Sequence, residues 1–319
     1  MISVLIPSNL DQRLGWLKHA LNFLYKNGFE GEVVVGVWGG HEHLPALAAF
    51  CLSVSNNIKI HAQNGAQRFT QRVLELAKQA AGKHIIQIGD DDFLVPGALK
   101  DMSEYLETHP HAFAVQGRTL SISHDPYALY PLPMWDIADS TALGRYANYC
   151  ANPGQLFHAM LRRTDFIERM EYMDAAMSYA ENNVWFEVIC DFYTIVKGRF
   201  SILADVFILR SKHANNTSRG LLKNDYENMF PHYLLSPKFS SHYQFFQKQL
   251  FEVFRSKGAN VDHPEMRREI QAGFLNLLGA IIYGRRPPLS AAETALQNKI
   301  NTQHADMLAL VEMVHNAKP

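Results

Sequence analysis

One run of acidic residues has the types and spacing to do chemistry: Asp90-Asp91-Asp92, which follows residues 84–88 and Gly89. Branched aliphatic side chains dominate 84–88, which predicts a short buried strand that stops at Gly89. If the extended backbone persists, alternation places Asp90 and Asp92 on one side and Asp91 on the other. Like charges this close raise each other's pKa unless a cation lies between them. Because Mg²⁺ is usually held by one or two carboxylates and substrate phosphates, the run predicts a metal and phosphate site.

A structural role is the alternative for the same acidic run. Short acidic runs commonly cap the next helix or solvate a turn. Here Pro96 suits the first turn of a helix that continues through Tyr105, which makes Val95 the N-cap and leaves the aspartates outside the helix. The position of the run therefore favours the metal and phosphate site.

The residues around this run predict strands that alternate with helices. Strands are predicted at residues 3–6, 32–38, 58–62 and 84–88, with helices at 11–27, 45–52 and 67–81. Such alternation indicates right-handed βαβ units and a largely parallel sheet. Ligands of these sheets bind beyond the carboxyl ends of the strands. Three such ends, at Ser8-Asn9, at Trp38-Gly39-Gly40 and at the aspartate run, are therefore expected to converge on one crevice.

The order of these elements resembles a known family. An apolar strand, the triplet Asp90-Asp91-Asp92 and a helix start at Pro96-Gly97 together resemble the core of the GT-A glycosyltransferases, close to family 2, over about residues 3–216. The resemblance implies a GT-A-like (Rossmann-like) three-layer α/β fold with a mixed, mostly parallel sheet. It implies transfer of a sugar, with inversion, from a nucleotide-diphosphate sugar to a hydroxyl of a glycan, lipid-linked or protein acceptor. Mn²⁺ or Mg²⁺ would be the cofactor.

The resemblance also implies two sets of binding residues. The nucleotide-sugar-binding residues at the family's positions would be Pro7, Ser8, Asn9, Asp90, Asp91, Arg210 and Lys212. Trp38, at the end of the second predicted strand, and Arg68 and Arg72, on the helix predicted at 67–81, are further candidates that come from their positions in this chain and not from the family. The metal ligands would be Asp90, Asp92 and His213, and an imidazole ligand favours Mn²⁺ over Mg²⁺. Arg210 and Lys212 would offset the charge of the departing diphosphate. Arg68 and Arg72 lie four residues apart on one helix side, where they face either the diphosphate and the acidic cluster or solvent.

Two departures from the family pattern affect how the nucleotide is bound and which residue acts as the catalytic base. After the second strand the family carries acidic residues that contact the nucleotide base, whereas this chain has Trp38, on which the base could stack. The helix predicted at residues 179–190 begins with Glu181-Asn182, where the family has an acidic pair whose Asp deprotonates the acceptor. Asn cannot accept that proton, so the candidate bases are Glu181 and then Asp174. A first-turn Glu that only complements the helix dipole is the alternative for Glu181.

The rest of the chain predicts further elements without a second chemical motif. Helices are predicted at 97–108, 136–149 and 163–171, and strands at 112–117, 155–161 and 200–209. Residues 123–135 predict an aromatic, irregular stretch that is either an acceptor-binding loop or a plain surface loop. We expect a catalytic domain at residues 1–232 and an α-helical region at 233–319. That region would pack on the core, build part of the acceptor site or form a homodimer.

Composition excludes several classes of protein. The 319 residues carry a formal net charge of −1. The protein therefore lacks the excess of basic residues that is typical of a general nucleic-acid binder. Three widely spaced cysteines indicate neither a disulfide framework nor a zinc site. No signal-peptide pattern and no run of about 20 apolar residues are present, so we expect a cytoplasmic protein. Peripheral attachment to a membrane through a partner stays open.

Two other functions compete with sugar transfer. Gly89-Asp90-Asp91 also matches the turn of a polymerase palm, which would make the protein a nucleotidyltransferase. That chemistry needs a second acidic strand and a basic template channel, and the near-neutral charge counts against a template. Asn182 and the missing acidic residues after Trp38 instead suggest a non-catalytic nucleotide-sugar-binding protein on the same scaffold.

Overall fold

The computed structural model describes residues 1–124, 127–177, 183–212, 237–282 and 288–302. Within these residues a nine-stranded sheet lies in the order β3-β2-β1-β4-β8-β6-β9-β5, and β7 pairs with β6. The strands are β1 Ile2–Ser8, β2 Glu32–Val37, β3 Ile58–Ala62, β4 His84–Gln87, β5 Phe93–Leu94, β6 Ala112–His124, β7 Tyr127–Pro131, β8 Met160–Arg162 and β9 Arg199–Lys212.

Parallel and antiparallel pairs share this sheet. β1 pairs in parallel with β2 and β4, β2 pairs in parallel with β3, and β6 runs parallel to β9. β8 pairs antiparallel with β4 and β6, β5 pairs antiparallel with β9, and β7 forms a hairpin with β6. The expected mixed, mostly parallel sheet is confirmed.

Helices cover both faces of the sheet. The described helices are α1 Leu10–Lys26, α2 Leu44–Val54, α3 Phe69–Gln79, α4 Pro96–Thr108, α5 Ala142–Ala151, α6 Arg163–Met177, α7 Asn183–Lys197, α8 Pro237–Arg255, α9 Pro264–Ile282 and α10 Ala291–Thr302. Strand alternation sends Leu5 and Ile85 into a core with α3, α5, α6 and α7. It sends Ile6 and Ile86 into a second core with α1, α2 and α4. The expected three-layer α/β fold is therefore confirmed.

The C-terminal helices pack against the same molecule. Phe246 of α8 and Phe274 of α9 lie 4.8 Å apart between ring centroids, and both approach Phe192 of α7. Ile300 of α10 packs with Phe93 of β5. Residues 237–282 and 291–302 are helical apart from the connection between α8 and α9, as expected, while the separation of a C-terminal domain at residue 233 stays a prediction. None of the helices in the described ranges is long and apolar enough to cross a lipid bilayer.

Several predicted element bounds are wrong for reasons of tertiary contact. The helix expected at 136–149 begins only at Ala142, because Asp136 accepts a hydrogen bond from the Ile202 amide at 2.7 Å and Ile137 bridges to Phe200. The stretch expected to be irregular contains β7, which pairs with the unexpectedly long β6.

Two further strand bounds also differ from expectation. β1 continues through Pro7 to Ser8, and the strand expected from residue 155 begins at Met160.

Candidate functional site

The carboxyl ends of the four parallel strands meet at one edge of the sheet. Ser8 at the end of β1 is paired with Val37 at the end of β2, and Val37 is paired with Ala62 at the end of β3. Leu5 of β1 is paired with Gln87, the last residue of β4. The aspartate run follows Gln87 by three residues, so it lies beside Ser8 at this edge. The expected convergence of the strand ends is confirmed.

The three aspartates are buried at this edge, and each has a partner of its own. Their residues are only 5 to 8% exposed. The Ser8 hydroxyl donates a hydrogen bond to Asp90 Oδ2 at 2.6 Å, and Arg13 Nη1 donates one to Asp91 Oδ2 at 2.9 Å. The Ser211 amide donates to Asp92 Oδ1 at 3.2 Å. The run is thus a built polar site rather than a solvated turn.

The expected alternation of the three side chains is wrong. β4 ends at Gln87, and Asp90 and Asp91 lie in a turn before β5 rather than on an extended strand. As a result Asp90 and Asp91 face the same guanidinium, with Arg13 Nε 4.0 Å from Asp90 Oδ1. Asp92 faces a different one, with Arg210 Nε 4.0 Å from its Oδ2.

The electrostatics of the run favour a bound cation. Burial, followed by the charge of Asp91, raises the pKa of Asp90 from 3.8 to about 7. Burial likewise raises the pKa of Asp92 to about 7, with Asp91 adding to the rise and Arg210 opposing it. A divalent cation beside these carboxylates would favour their ionised forms. Carboxylate oxygens belong to the donor set of Mg²⁺ and Mn²⁺, so the residues present fit such an ion.

Arg13 is a site residue that the sequence analysis missed. It lies on α1 and is only 8% exposed. Its position falls on the helical stripe of buried residues that includes Leu10, Leu17, Leu21 and Leu24. A charged residue within an apolar stripe is the signal that could have identified it, because a buried guanidinium needs a buried partner.

Arg210 is held by residues 155–158, a segment predicted to lie in a strand. Arg210 Nη1 donates to the Gln155 side chain. In the same segment the His158 ring nitrogen Nδ1 lies 2.9 Å from the Gln87 carbonyl oxygen, and burial lowers the pKa of His158 to about 3. Residues 155–158 therefore connect the end of β4 to the arginine that faces Asp92.

Trp38 and Arg72 form one unit at the end of β2. The Arg72 guanidinium carbon lies 4.3 Å from the centroid of the Trp38 ring, within the range of a cation–π contact. Arg72 Nη1 also donates to the Gln67 carbonyl at 2.9 Å, and Gly40 turns the chain after Trp38 with a φ of 66°. Arg72 is only 8% exposed, whereas Arg68 is exposed, so the solvent-facing alternative holds for Arg68 and not for Arg72. A nucleotide base on Trp38 stays a prediction.

Of the two candidate catalytic bases, Asp174 lies within the described residues and Glu181 does not. Asp174 Oδ1 accepts hydrogen bonds from Arg68 Nη2 and from the Thr70 hydroxyl, each at 2.7 Å. Asp174 therefore joins α3 to α6, and Arg68 is its partner. Glu181 and Asn182 lie outside the described residues.

The remaining predicted site residues are placed as follows. His213 and the side chain of Lys212 also lie outside the described residues. Pro7 precedes Ser8 in β1, and the Asn9 side chain caps α1 by accepting from the Asp11 amide at 3.1 Å.

Comparison with known proteins gives structural likeness alone. No protein-family model matches the chain, and no curated protein matches it. A crystal structure of S. aureus TarS 1–349 is similar, with a TM-score of 0.48 and 15% identity over 89% of this chain and 92% of that one. The complex of that protein with UDP-GlcNAc has a TM-score of 0.48 and 15% identity, over 86% of this chain and 81% of that one. The complex with UDP has a TM-score of 0.47 and 17% identity, over 82% of this chain and 73% of that one. These scores are low, and the function proposed below rests on the residues of the site.

Proposed function

We propose that this protein is a glycosyltransferase that moves a sugar from a nucleotide-diphosphate sugar to an acceptor hydroxyl. The observation that carries the proposal is the buried aspartate run at the carboxyl edge of four parallel strands, flanked by Arg13 and Arg210. Carboxylates and guanidinium groups side by side suit a ligand that is itself an ion pair, such as a diphosphate with its divalent cation.

Mn²⁺ or Mg²⁺ is the proposed cofactor. Asp90 and Asp92 would hold it, because Asp91 is already paired with Arg13. His213 stays a proposed third ligand. When bound, the ion would neutralise charge on the diphosphate and make it a better leaving group. The raised pKa values of Asp90 and Asp92 support this assignment, because burial disfavours the ionised carboxylates and a divalent cation beside them would favour them.

The residues of the chain itself would position the donor. The Ser8 hydroxyl orients Asp90 through its 2.6 Å hydrogen bond. Arg210, held by Gln155, lies where it can offset charge that develops on the departing diphosphate. Trp38, backed by the Arg72 guanidinium, offers a flat surface for the nucleotide base. The acceptor would be a glycan, a lipid-linked sugar or a protein. Transfer would invert the configuration at the anomeric carbon of the sugar.

Substitution of Asp92 tests the proposal directly. Wild type is incubated with UDP-, GDP- and dTDP-sugars and Mn²⁺, and released nucleotide diphosphate is measured with and without candidate acceptors. Asp92→Ala should abolish turnover and also the stabilisation of the fold by Mn²⁺, because mass action requires a binding site. Asp101→Ala on the exposed face of α4 is the matched control. Turnover retained in Asp92→Ala would rule out the metal role.

A non-catalytic nucleotide-sugar-binding protein is the second candidate. It is favoured by Asp174, a candidate base whose carboxylate is already bonded to Arg68 and Thr70. The same donor panel separates the two functions. Tight donor binding without nucleotide release, across all acceptors, would favour the binder, whereas slow hydrolysis of one donor would favour the enzyme.

A further inference from the structure

Glu187 of α7 is a carboxylate whose charge interacts with that of Arg210, the arginine that faces Asp92. Its side chain is exposed, whereas the following residues Val188, Ile189 and Cys190 are buried. Burial by the surrounding protein nevertheless raises the pKa of the Glu187 carboxyl, and the charge of Arg210 opposes that rise. The Glu187 carboxylate is therefore reachable from solvent and lies within the range over which the charge of Arg210 acts on it.

The face of α7 that carries Glu187 is fixed relative to the aspartates. Asp191 lies one helical turn further along the same face. Its buried carboxyl accepts a hydrogen bond from the Tyr149 hydroxyl at 2.6 Å and another from the Leu156 amide. Leu156 follows Gln155, which binds Arg210. Since Arg210 Nε lies 4.0 Å from Asp92 Oδ2, this chain of contacts holds α7 against the donor side of the site.

Two other acids in the described part of this region, Asp191 and Asp174, are committed to structural contacts. Asp191 is 4% exposed and bonded to Tyr149, so an acceptor cannot reach it. Asp174 is bonded to Arg68 and Thr70. Of the two acids on α7, Glu187 is therefore the one that combines access from solvent with a position near Arg210.

We propose that Glu187 is the general base that removes the proton of the acceptor hydroxyl, an inference that rests on the glycosyltransferase function proposed above. The proton moves to a Glu187 carboxylate oxygen while the acceptor oxygen bonds to C1 of the sugar. The bond from C1 to the diphosphate oxygen breaks, and the electron pair leaves on the nucleotide diphosphate. Arg210 favours the ionised Glu187 that the step requires.

The experiment compares Glu187→Gln and Glu187→Ala with wild type and with Glu104→Gln, an exposed glutamate of α4. The Glu187 variants should lose about 10²- to 10⁴-fold in kcat for transfer, which is the range for loss of a general base. Their donor affinity, measured by the thermal shift that the nucleotide sugar and Mn²⁺ produce, should match that of wild type. Sodium formate should restore transfer to Glu187→Ala, because a small carboxylate can occupy the space left by the side chain.

Four results separate this inference from the proposed function. Absence of turnover in wild type would remove both. Wild-type turnover with full activity in Glu187→Gln would overturn only the role of Glu187. Loss of transfer in Glu181→Gln, measured in parallel while Glu187→Gln stays active, would assign the proton to Glu181. A fall in donor affinity equal to the fall in transfer, without rescue by formate, would make Glu187 a structural residue and overturn the proposal.

Discussion

Replacement of Asp92 by Asn should stabilise the fold at alkaline pH but not at acid pH. Burial raises the pKa of Asp92 from 3.8 to about 7. Below pH 3.8 both the folded and the unfolded carboxyl are protonated. Between pH 3.8 and 7 the unfolded state ionises first, so the folded state binds more protons and stability falls as pH rises. The amide of the substituted side chain cannot ionise, so the variant should escape this loss.

The magnitude follows from the size of the shift. A displacement of about three pKa units corresponds to at most about 4 kcal/mol above pH 7, with a slope of about 1.4 kcal/mol per pH unit. The substitution preserves the hydrogen bond from the Ser211 amide, because the Asn side-chain oxygen can accept it as Asp92 Oδ1 does. Removal of the charge also lowers the pKa of the neighbouring Asp90, which adds to the gain at alkaline pH.

Urea unfolding of both proteins from pH 4 to pH 8.5 measures the effect. The buried histidines titrate in both proteins, so their contribution cancels in the difference between the two free energies of unfolding. That difference should grow with pH, and Mn²⁺ at pH 8 should stabilise wild type but not Asp92→Asn. Asp101→Asn, on the exposed face of α4, should show no such trend. A difference that stays constant across the range would refute the view that Asp92 is ionised at a desolvated site.

Other predictions concern the arginines, histidines and helices around the site. Glu293→Ala should cost about 3–5 kcal/mol of stability, measured by urea unfolding, because it leaves Arg118 without its charged partner while Glu293 itself is fully buried. Burial lowers the pKa of His158 from 6.5 to about 3, so its contribution to stability is full above pH 6.5 and is lost as pH falls toward 3. His158→Gln should flatten that acid limb in the same unfolding series. Phe274→Ala should cost about 3–5 kcal/mol and lower the melting temperature, because the ring packs against α7 and α8.

Much of the first half of the fold follows from local pattern. The helical stripe of α1, the unbroken apolar run of β2 and the Pro-Gly start of α4 each depend on a few neighbouring residues. Parallel strands joined by helices then place their carboxyl ends at one edge, which is why the aspartate run could be located as a site before its partners were known.

The partners themselves depend on contacts that local pattern does not encode. Arg13 and Asp91 are 78 positions apart, and Arg210 reaches Gln155 across 55. The direction of the three aspartates depended on where β4 ends, because a turn at Asp90 and Asp91 replaces the alternation of a strand.

The sequence by itself determined that acids gather at the end of a buried strand, because periodicity and composition are local properties. The tertiary structure alone decided which cation faces each acid, that Asp174 is committed to Arg68, and that Glu187 stays exposed within the range of the charge of Arg210. The physical reason is that a charge pair in a protein interior is set by the register and packing of distant elements. Neither is fixed until the sheet and its helices have assembled.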